Sequence, residues 1–418
     1  MQWVPVFLLS DVLFWTFVLL LLAVVFRPGK VAAPLGLWQK LQQKPMAMIA
    51  IVPIMAFILL AAIDCLHFEW QGDKGPYRTA KVYSVLDLAL FPLSDEYETT
   101  YSAPFAQQSF KALVISAQGK LQQVYKPLQY PSKQLKQLHR SRQVDSLLRL
   151  GMTVSWVMAI LTLLWGILSL RYWLRERRWP SFNQALFLQR RGMPYFWASF
   201  TIFLTLAIGC YAWSQVYHIF GTTKVGADVF YQSIKSIRTG ILLGCLTTGF
   251  MLPFALILGV VAGYFGRWID DVIQFIYITI SSIPAILLIS AVILMLDLAF
   301  QYTSHSQSIE LHADYRLVLL CAVLGLTGWT GLCRLLRAET LKLREMSYVM
   351  VARTMKVSSW KILYRHIIPN LMHLVILTVV LDFSGLVLAE AVLTYVGVGV
   401  DPKMASWGNM IHASRLEL

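Results

Sequence analysis

The densest group of side chains able to do chemistry is His305, Glu310, His312 and Asp314. Their spacing matches no known metal site, and no metal role is expected of them. Five cysteines, Cys65, Cys210, Cys245, Cys321 and Cys333, lie in or beside apolar stretches with no CxxC pair. They read as small apolar side chains, not as a disulfide framework or a zinc site. No GxxxxGK[ST] phosphate loop, HExxH or GxSxG occurs, so the chain is not expected to be an enzyme. What remains are carboxylates in apolar surroundings, where an ionisable group is costly. Asp11 is read as interfacial or as hydrogen-bonded to a neighbouring helix. Asp382 and Glu390 stand eight residues apart, on roughly one helical face. They are candidates for lining a polar path, with a structural hydrogen bond as the alternative.

The elements that must carry these residues are apolar runs. Of 418 residues 57% are hydrophobic and only 14% charged, against roughly a quarter charged in soluble domains. Lipid must cover part of such a surface. Eight stretches approach the roughly 20 residues a spanning helix needs: 5–26, 48–66, 151–171, 197–217, 239–262, 272–297, 316–336 and 372–397. The expected fold is therefore an all-α, polytopic transmembrane bundle of about eight spans. The net charge of +14 sits in short bursts between the runs, the pattern of cytoplasmic loops and not of a nucleic-acid partner. One burst is Arg27, Lys30, Lys40 and Lys44; a second is Arg171, Arg175, Arg177, Arg178, Arg190 and Arg191; the third runs from Arg334 to Arg365. Alternation puts all three on the inner side, with both termini outside. The polar segment 67–150 would then lie outside, and its Lys120, Lys126, Lys133, Lys136, Arg140, Arg142 and Arg149 read as a solvated face or, less simply, as a docking face.

The third basic burst holds the most informative residues. Residues 348–357 have a short amphipathic pattern, with Tyr348, Val351, Ala352 and Met355 near one face. Ser358 and Ser359 offer an N-cap for a second helix, which Pro369 would end or kink. An apolar stripe on a basic elbow needs a cover, either the membrane surface or a groove on a partner.

Here the sequence resembles a family. Tyr348-Val349, Ala352-Arg353, Ser358, Arg365-His366-Ile367 and Pro369-Asn370 are similar to the Y-V-E-A-A-R-A-L-G-A-S … R-H-I-L-P-N loop of ABC importer permeases of the dipeptide/oligopeptide/nickel type. In the same order, the segments His218–Val229, Gly259–Asp270, Ser282-Ile283-Pro284, Leu388–Ala391 with Gly397-Val398-Gly399, and Ser406–Met410 resemble further motifs of that family. The similarity covers about 218–411.

The resemblance implies a type I permease core at 218–418, with 1–217 as an N-terminal transmembrane extension that includes the outer loop. It also implies that 343–370 is a coupling loop, with Tyr348, Met350, Ala352, Arg353, Lys356, Ser358, Arg365, His366 and Pro369 as its contact residues. Ser282, Pro284, Asp382 and Glu390 would fall on the translocation path. Implied partners are a second homologous permease, two ATPase subunits that carry the ATP and Mg, an external solute-binding protein and the lipid bilayer of a bacterial inner membrane. This chain would bind no cofactor itself. The substrate would be a short peptide or related small solute. Several positions depart from the family pattern. Met350 replaces a Glu, Lys356 replaces a Gly, and Thr223 and Ala227 replace an Asp and an Arg. The family core also continues past the last motif into one more span, so either that span is absent or the sequence ends short of it. Two rivals stand beside the importer: a secondary transporter, for which no internal repeat is seen, and a non-transporting scaffold or sensor that keeps a degenerate core.

Overall fold

The computed structural model describes residues 2–25, 40–71, 82–91, 93, 97–98, 100–117, 120–130, 142–176, 192–303 and 309–415. Helices dominate because a chain in lipid must satisfy its backbone N–H and C=O groups internally. They are α1 (Leu9–Val25), α2 (Pro45–Asp64), the short α3 (Val85–Ala89), α4 (Arg142–Glu176), α5 (Met193–Ser214), α6 (Val229–Phe265), α7 (Arg267–Ser282), α8 (Ala285–Thr303), α9 (Ile309–Arg344), α10 (Ser347–Thr354), α11 (Ser359–Ile362), α12 (Ile368–Tyr395) and α13 (Trp407–Arg415). The strands are β1 (Gln2–Val6), β2 (His67–Gln71), β3 (Val82–Ser84), β4 (Gln108–Ala117) and β5 (Lys120–Pro127).

Among the described residues six helices are long and apolar enough to cross a membrane, or seven if the broken pair α7–α8, bent by 75°, counts as one. The expected eighth span, 5–26, is α1. It is a 17-residue helix, shorter than the roughly 20 residues that cross a bilayer unaided, because β1 takes the first residues of the apolar run.

The chain divides into two compact units that do not follow chain order. One comprises Met1–Leu20, Leu66–Tyr83 and Arg238–Leu418; the other comprises Leu21–Cys65 and Ser84–Ile237.

In the first unit β1 pairs antiparallel with β2, from Gln2↔Gln71 to Val6↔His67. This ties the start of α1 to the chain that follows α2. Phe14 of α1 is buried, and the Phe17 ring lies where a side chain at Gly249 of α6 would meet it at 3.3 Å. The core of this unit is α6 against α9. A Cβ at Gly259 would stand 2.8 Å from the Cys333 carbonyl oxygen, and one at Gly263 2.7 Å from that of Arg337. Small residues thus let the two backbones meet, as membrane helices commonly do.

In the second unit α2 and α5 pack with the Ser199 hydroxyl donating to the Ile49 carbonyl (3.0 Å) and Phe57 edge-on to Phe203. β4 and β5 form an antiparallel hairpin. Of the basic residues of segment 67–150, Lys133, Lys136 and Arg140 lie outside the described residues, as do the side chains of Lys120 and Arg142.

Candidate functional site

The basic elbow after α9 is built around a buried seam. Arg337 of α9 grips Asp270 of α7 through two nitrogens, one of them at 2.7 Å, a bidentate geometry that fixes one helix on the other. Arg344 then donates to the Tyr264 carbonyl (3.4 Å). The chain turns at Glu345 and Met346 and enters α10. Val349 and Ala352 face inward, into a core with Tyr264, Leu336, Ile362, Leu363 and Ile367. The opposite face is open: Met350 is 48%, Val351 57% and Met355 74% exposed. The expected apolar face is therefore split, with Ala352 turned into the protein and Val351 and Met355 turned out of it.

α10 closes with two backbone bonds. Lys356 N–H donates to the Arg353 carbonyl (2.9 Å), and Val357 N–H to the Ala352 carbonyl (3.1 Å). This is the Schellman pattern, which puts its C′ residue in the left-handed region and is usually filled by glycine. Here the residue is Lys356, at φ +56°. Lys356 replaces the family glycine, yet the left-handed angle is kept, on a lysine. Ser358 stands at the N-cap of α11, but its hydroxyl makes no cap bond. The cap is backbone only, with Ile362 N–H donating to the Ser358 carbonyl. Pro369 neither ends nor sharply breaks the helix that follows. A π-helical turn, Leu363–Ile367, widens the backbone just before it, and a wide turn absorbs a residue that has no N–H to donate.

The remaining elbow residues clamp α10 to α12. Asn370 donates its Nδ2 to the Tyr348 hydroxyl (3.1 Å) and to the His366 carbonyl (2.7 Å), and the Tyr348 and His366 rings lie 6.2 Å apart. The Arg353 guanidinium stands 5.0 Å from the centre of the Tyr264 ring, a cation–π distance. Arg365 is exposed. Tyr348, Ala352, Arg353, His366 and Asn370 are thereby gathered into one rigid elbow, while Met350, Lys356 and Arg365 face outward.

The four candidates for a polar path are placed differently. Ser282 and Pro284 stand exposed at the break between α7 and α8. Asp382 is half-buried on α12. Glu390 is buried; it accepts from the Thr394 hydroxyl (2.9 Å) and packs closely on Gly408 of α13, where a Cβ would stand only 2.9 Å from its oxygen. Of the group His305, Glu310, His312 and Asp314, His305 lies outside the described residues. His312 faces Asp401 at 3.7 Å, whereas Asp314 accepts from Ser10 N–H.

Two polar clusters join segments far apart in the chain, and the sequence named the partners of neither; the hydrogen bond expected from Asp11 to a neighbouring helix is in the first. In the first unit the Asp11 carboxylate bridges His67 Nδ1 (2.8 Å) and Arg238 Nη2 (2.6 Å), and all three side chains are buried. The available signal was opposite charge at one end of each of two apolar runs. In the second unit His218 Nδ1 meets Asp228 at 2.6 Å, and its Nε2 faces Glu98 at 3.8 Å. Glu98 accepts from Gln129 N–H and Tyr130 N–H. The motif His218–Val229 is thus the socket for a segment more than a hundred residues earlier in the chain. Gly221 and Gly226, at φ +79° and +82°, bring the backbone against Ser102 and Glu98 where a Cβ would collide. Burial opposes protonation of His218, but Asp228 and then Glu98 outweigh it and raise its pKa to about 9.

Residues 255–415 match the family of binding-protein-dependent transport system inner membrane components. The matched segment is similar to the permease core of that family. The matched segment includes the whole elbow and the α6–α9 seam. Among curated relatives, a putative peptide permease of Brucella suis is 31% identical over 198 residues, 47% of this chain and 60% of that protein. A dipeptide transport system permease of Alkalihalophilus pseudofirmus is 29% identical over the same lengths. An oligopeptide transport system permease of Bacillus subtilis is 26% identical over 46% of this chain and 58% of its own. The chain spans about three-fifths of the length of the relatives it matches. Six helices among the described residues are long and apolar enough to cross a membrane, and the matched segment is similar to an inner-membrane transport component.

Proposed function

We propose that this chain is the transmembrane subunit of an ATP-driven importer of short peptides, working with a second permease, two separate ATPase subunits and an external solute-binding protein. The observation that carries the reading is the elbow. It presents an exposed apolar face on a short helix that is clamped to α9 by its buried residues and to α12 by Asn370. A helix held this way passes a push on its outer face to two long helices at once, which is what coupling a nucleotide-driven motion to a membrane bundle requires. No covalent step falls to this chain; it converts docking geometry into alternating access. The elbow would face the cytoplasm, and both termini the outside. Ser282, Pro284 and Asp382 would border the path, while Glu390 supports it from the α12–α13 junction. The peptide substrate class follows the names of the relatives.

The test is capture. Purified full-length chain in mild detergent should retain an ATPase, and a variant with Met350→Glu, Val351→Glu and Met355→Glu, all on the exposed face, should lose it while still folding. If the folded wild-type chain retains no ATPase, the importer reading fails.

A further inference from the structure

The broken pair α7–α8 is fastened to α9 at two points. At the elbow end Arg337 grips Asp270 of α7 through two nitrogens. At the far end Arg316 Nη1 stands 3.4 Å from Asp297 of α8, while its Nε donates to the Gly399 carbonyl (3.1 Å). His312 Nε2 faces the same Asp297 at 4.0 Å. Between the two fastenings, residues 281–287 around the break are all exposed. The distances between anchors do not match. From Arg316 to Arg337 the continuous α9 covers about 31 Å at the α-helical rise. From Asp270 to Asp297 a straight helix would cover about 40 Å and overshoot its second anchor by about 9 Å. The bend removes the excess: two arms of about 20 Å meeting 75° off straight span about 32 Å. The divergence starts beside the first anchor. Tyr277, two turns past Asp270, has reached only Arg334, one turn before Arg337, with the guanidinium 5.8 Å from the ring centre.

We infer that Asp270 and Asp297 are positioning residues that hold α7–α8 as a bow strung on α9, and that the break at Ser282–Pro284 is the point that moves when one end is let go. What the movement does rests on the importer reading, in which Ser282 and Pro284 border the path; the bow itself does not depend on it. The hinge is built into the sequence. Ile283 is extended, at φ −85° and ψ 124°, as a residue before proline prefers, so the arms stay separate helices. The two anchors are unequal. A bidentate carboxylate–guanidinium pair is strong and directional. A single contact at 3.4 Å to a carboxylate 33% exposed is weaker. The Asp297 end is therefore the one that releases. Straightening then carries the break toward α9 by up to the height of the bow, about 12 Å.

The experiment places spin labels at Ile283, in the break, and at Leu326, midway between the anchors on α9, both exposed, in the full chain in lipid nanodiscs. Pulsed spin-resonance distances are then compared. The labelled parent should give one narrow distance. Asp297→Asn and Asp270→Asn should each broaden it and shorten it by about 5 Å, within the height of the bow. Asp297→Glu keeps the charge and should keep the parent's distance. Ion pairs that only stabilise the fold would lower the unfolding midpoint without moving the labels. An unchanged distance in folded Asp297→Asn therefore overturns the inference, whether or not Asp270→Asn folds. An equal shift in Asp297→Glu overturns the charge pairing. In the complex assembled with the second permease and the ATPase, Asp297→Asn should retain the ATPase yet take up a labelled dipeptide about tenfold more slowly, a barrier raised by about 1.4 kcal/mol. Uptake equal to the parent's overturns the positioning role. If the distances shift as expected but the parent complex takes up no peptide, the importer reading fails and the bow stands.

Discussion

Lys356 and Gly397 end their helices in the same way. After α10, Lys356 N–H reaches the Arg353 carbonyl and Val357 N–H the Ala352 carbonyl; after α12, Gly397 N–H reaches Thr394 and Val398 N–H reaches Leu393, with lengths of 2.9–3.1 Å in all four. Both cap residues are left-handed, at φ +56° and +89°. Only one of them is the residue type that adopts this angle without cost. Lys356→Gly should therefore stabilise the protein by about 1 kcal/mol, read as a raised midpoint in thermal or denaturant unfolding in detergent. Gly397→Lys should destabilise it by a similar amount. If Lys356→Gly lowers the midpoint, the cap geometry is not as described.

His218 provides a pH test. Its folded pKa of about 9 lies above its ordinary 6.5, so the folded state favours the protonated ring. That stabilisation is complete below 6.5 and is lost as pH rises through about 9, with an upper bound of roughly 3 kcal/mol. Unfolding measured between pH 6 and 10 should show stability falling over this window, and His218→Gln should flatten that part of the profile. A wild-type profile as flat as the variant's would remove His218 from the account.

Asp11 tests whether α1 is structural to the unit that holds α6 and α9. It is the common partner of His67 and Arg238, and all three are buried. Removing one member of a buried pair leaves the other charge uncompensated, at about 3–5 kcal/mol. Asp11→Ala should lower the yield of folded protein in membranes and the unfolding midpoint sharply. The Asp11→Ala, Arg238→Met pair should recover part of the loss. Additive losses would show that the two side chains do not interact.

Gly263 tests the close approach of α6 to α9. A Cβ there meets the Arg337 carbonyl at 2.7 Å and Thr340 at 2.6 Å, groups the helix backbone cannot easily move. Gly263→Val should destabilise by about 1–3 kcal/mol through overpacking, visible as a lower midpoint, whereas Gly331→Ala on α9, with open space around it, should be nearly neutral. Equal effects would mean the helices stand further apart.

Much was legible from the chain alone, for a physical reason. A bilayer imposes length and apolarity on every spanning segment, so α2, α4, α5, α6, α9 and α12 stand out as runs. The elbow's motif residues carry their spacing in the sequence because α10 and α12 are neighbours along it. What the chain could not show depends on contacts between distant segments. That 5–26 yields a short helix follows from β1 pairing with β2, more than sixty positions away. That Asp11 meets Arg238, and Glu98 meets His218, depends on how the segments pack. Which side of α10 is buried was settled only by the core that receives Val349 and Ala352. Periodicity determines that a helix has two faces; tertiary packing decides which of them the protein keeps.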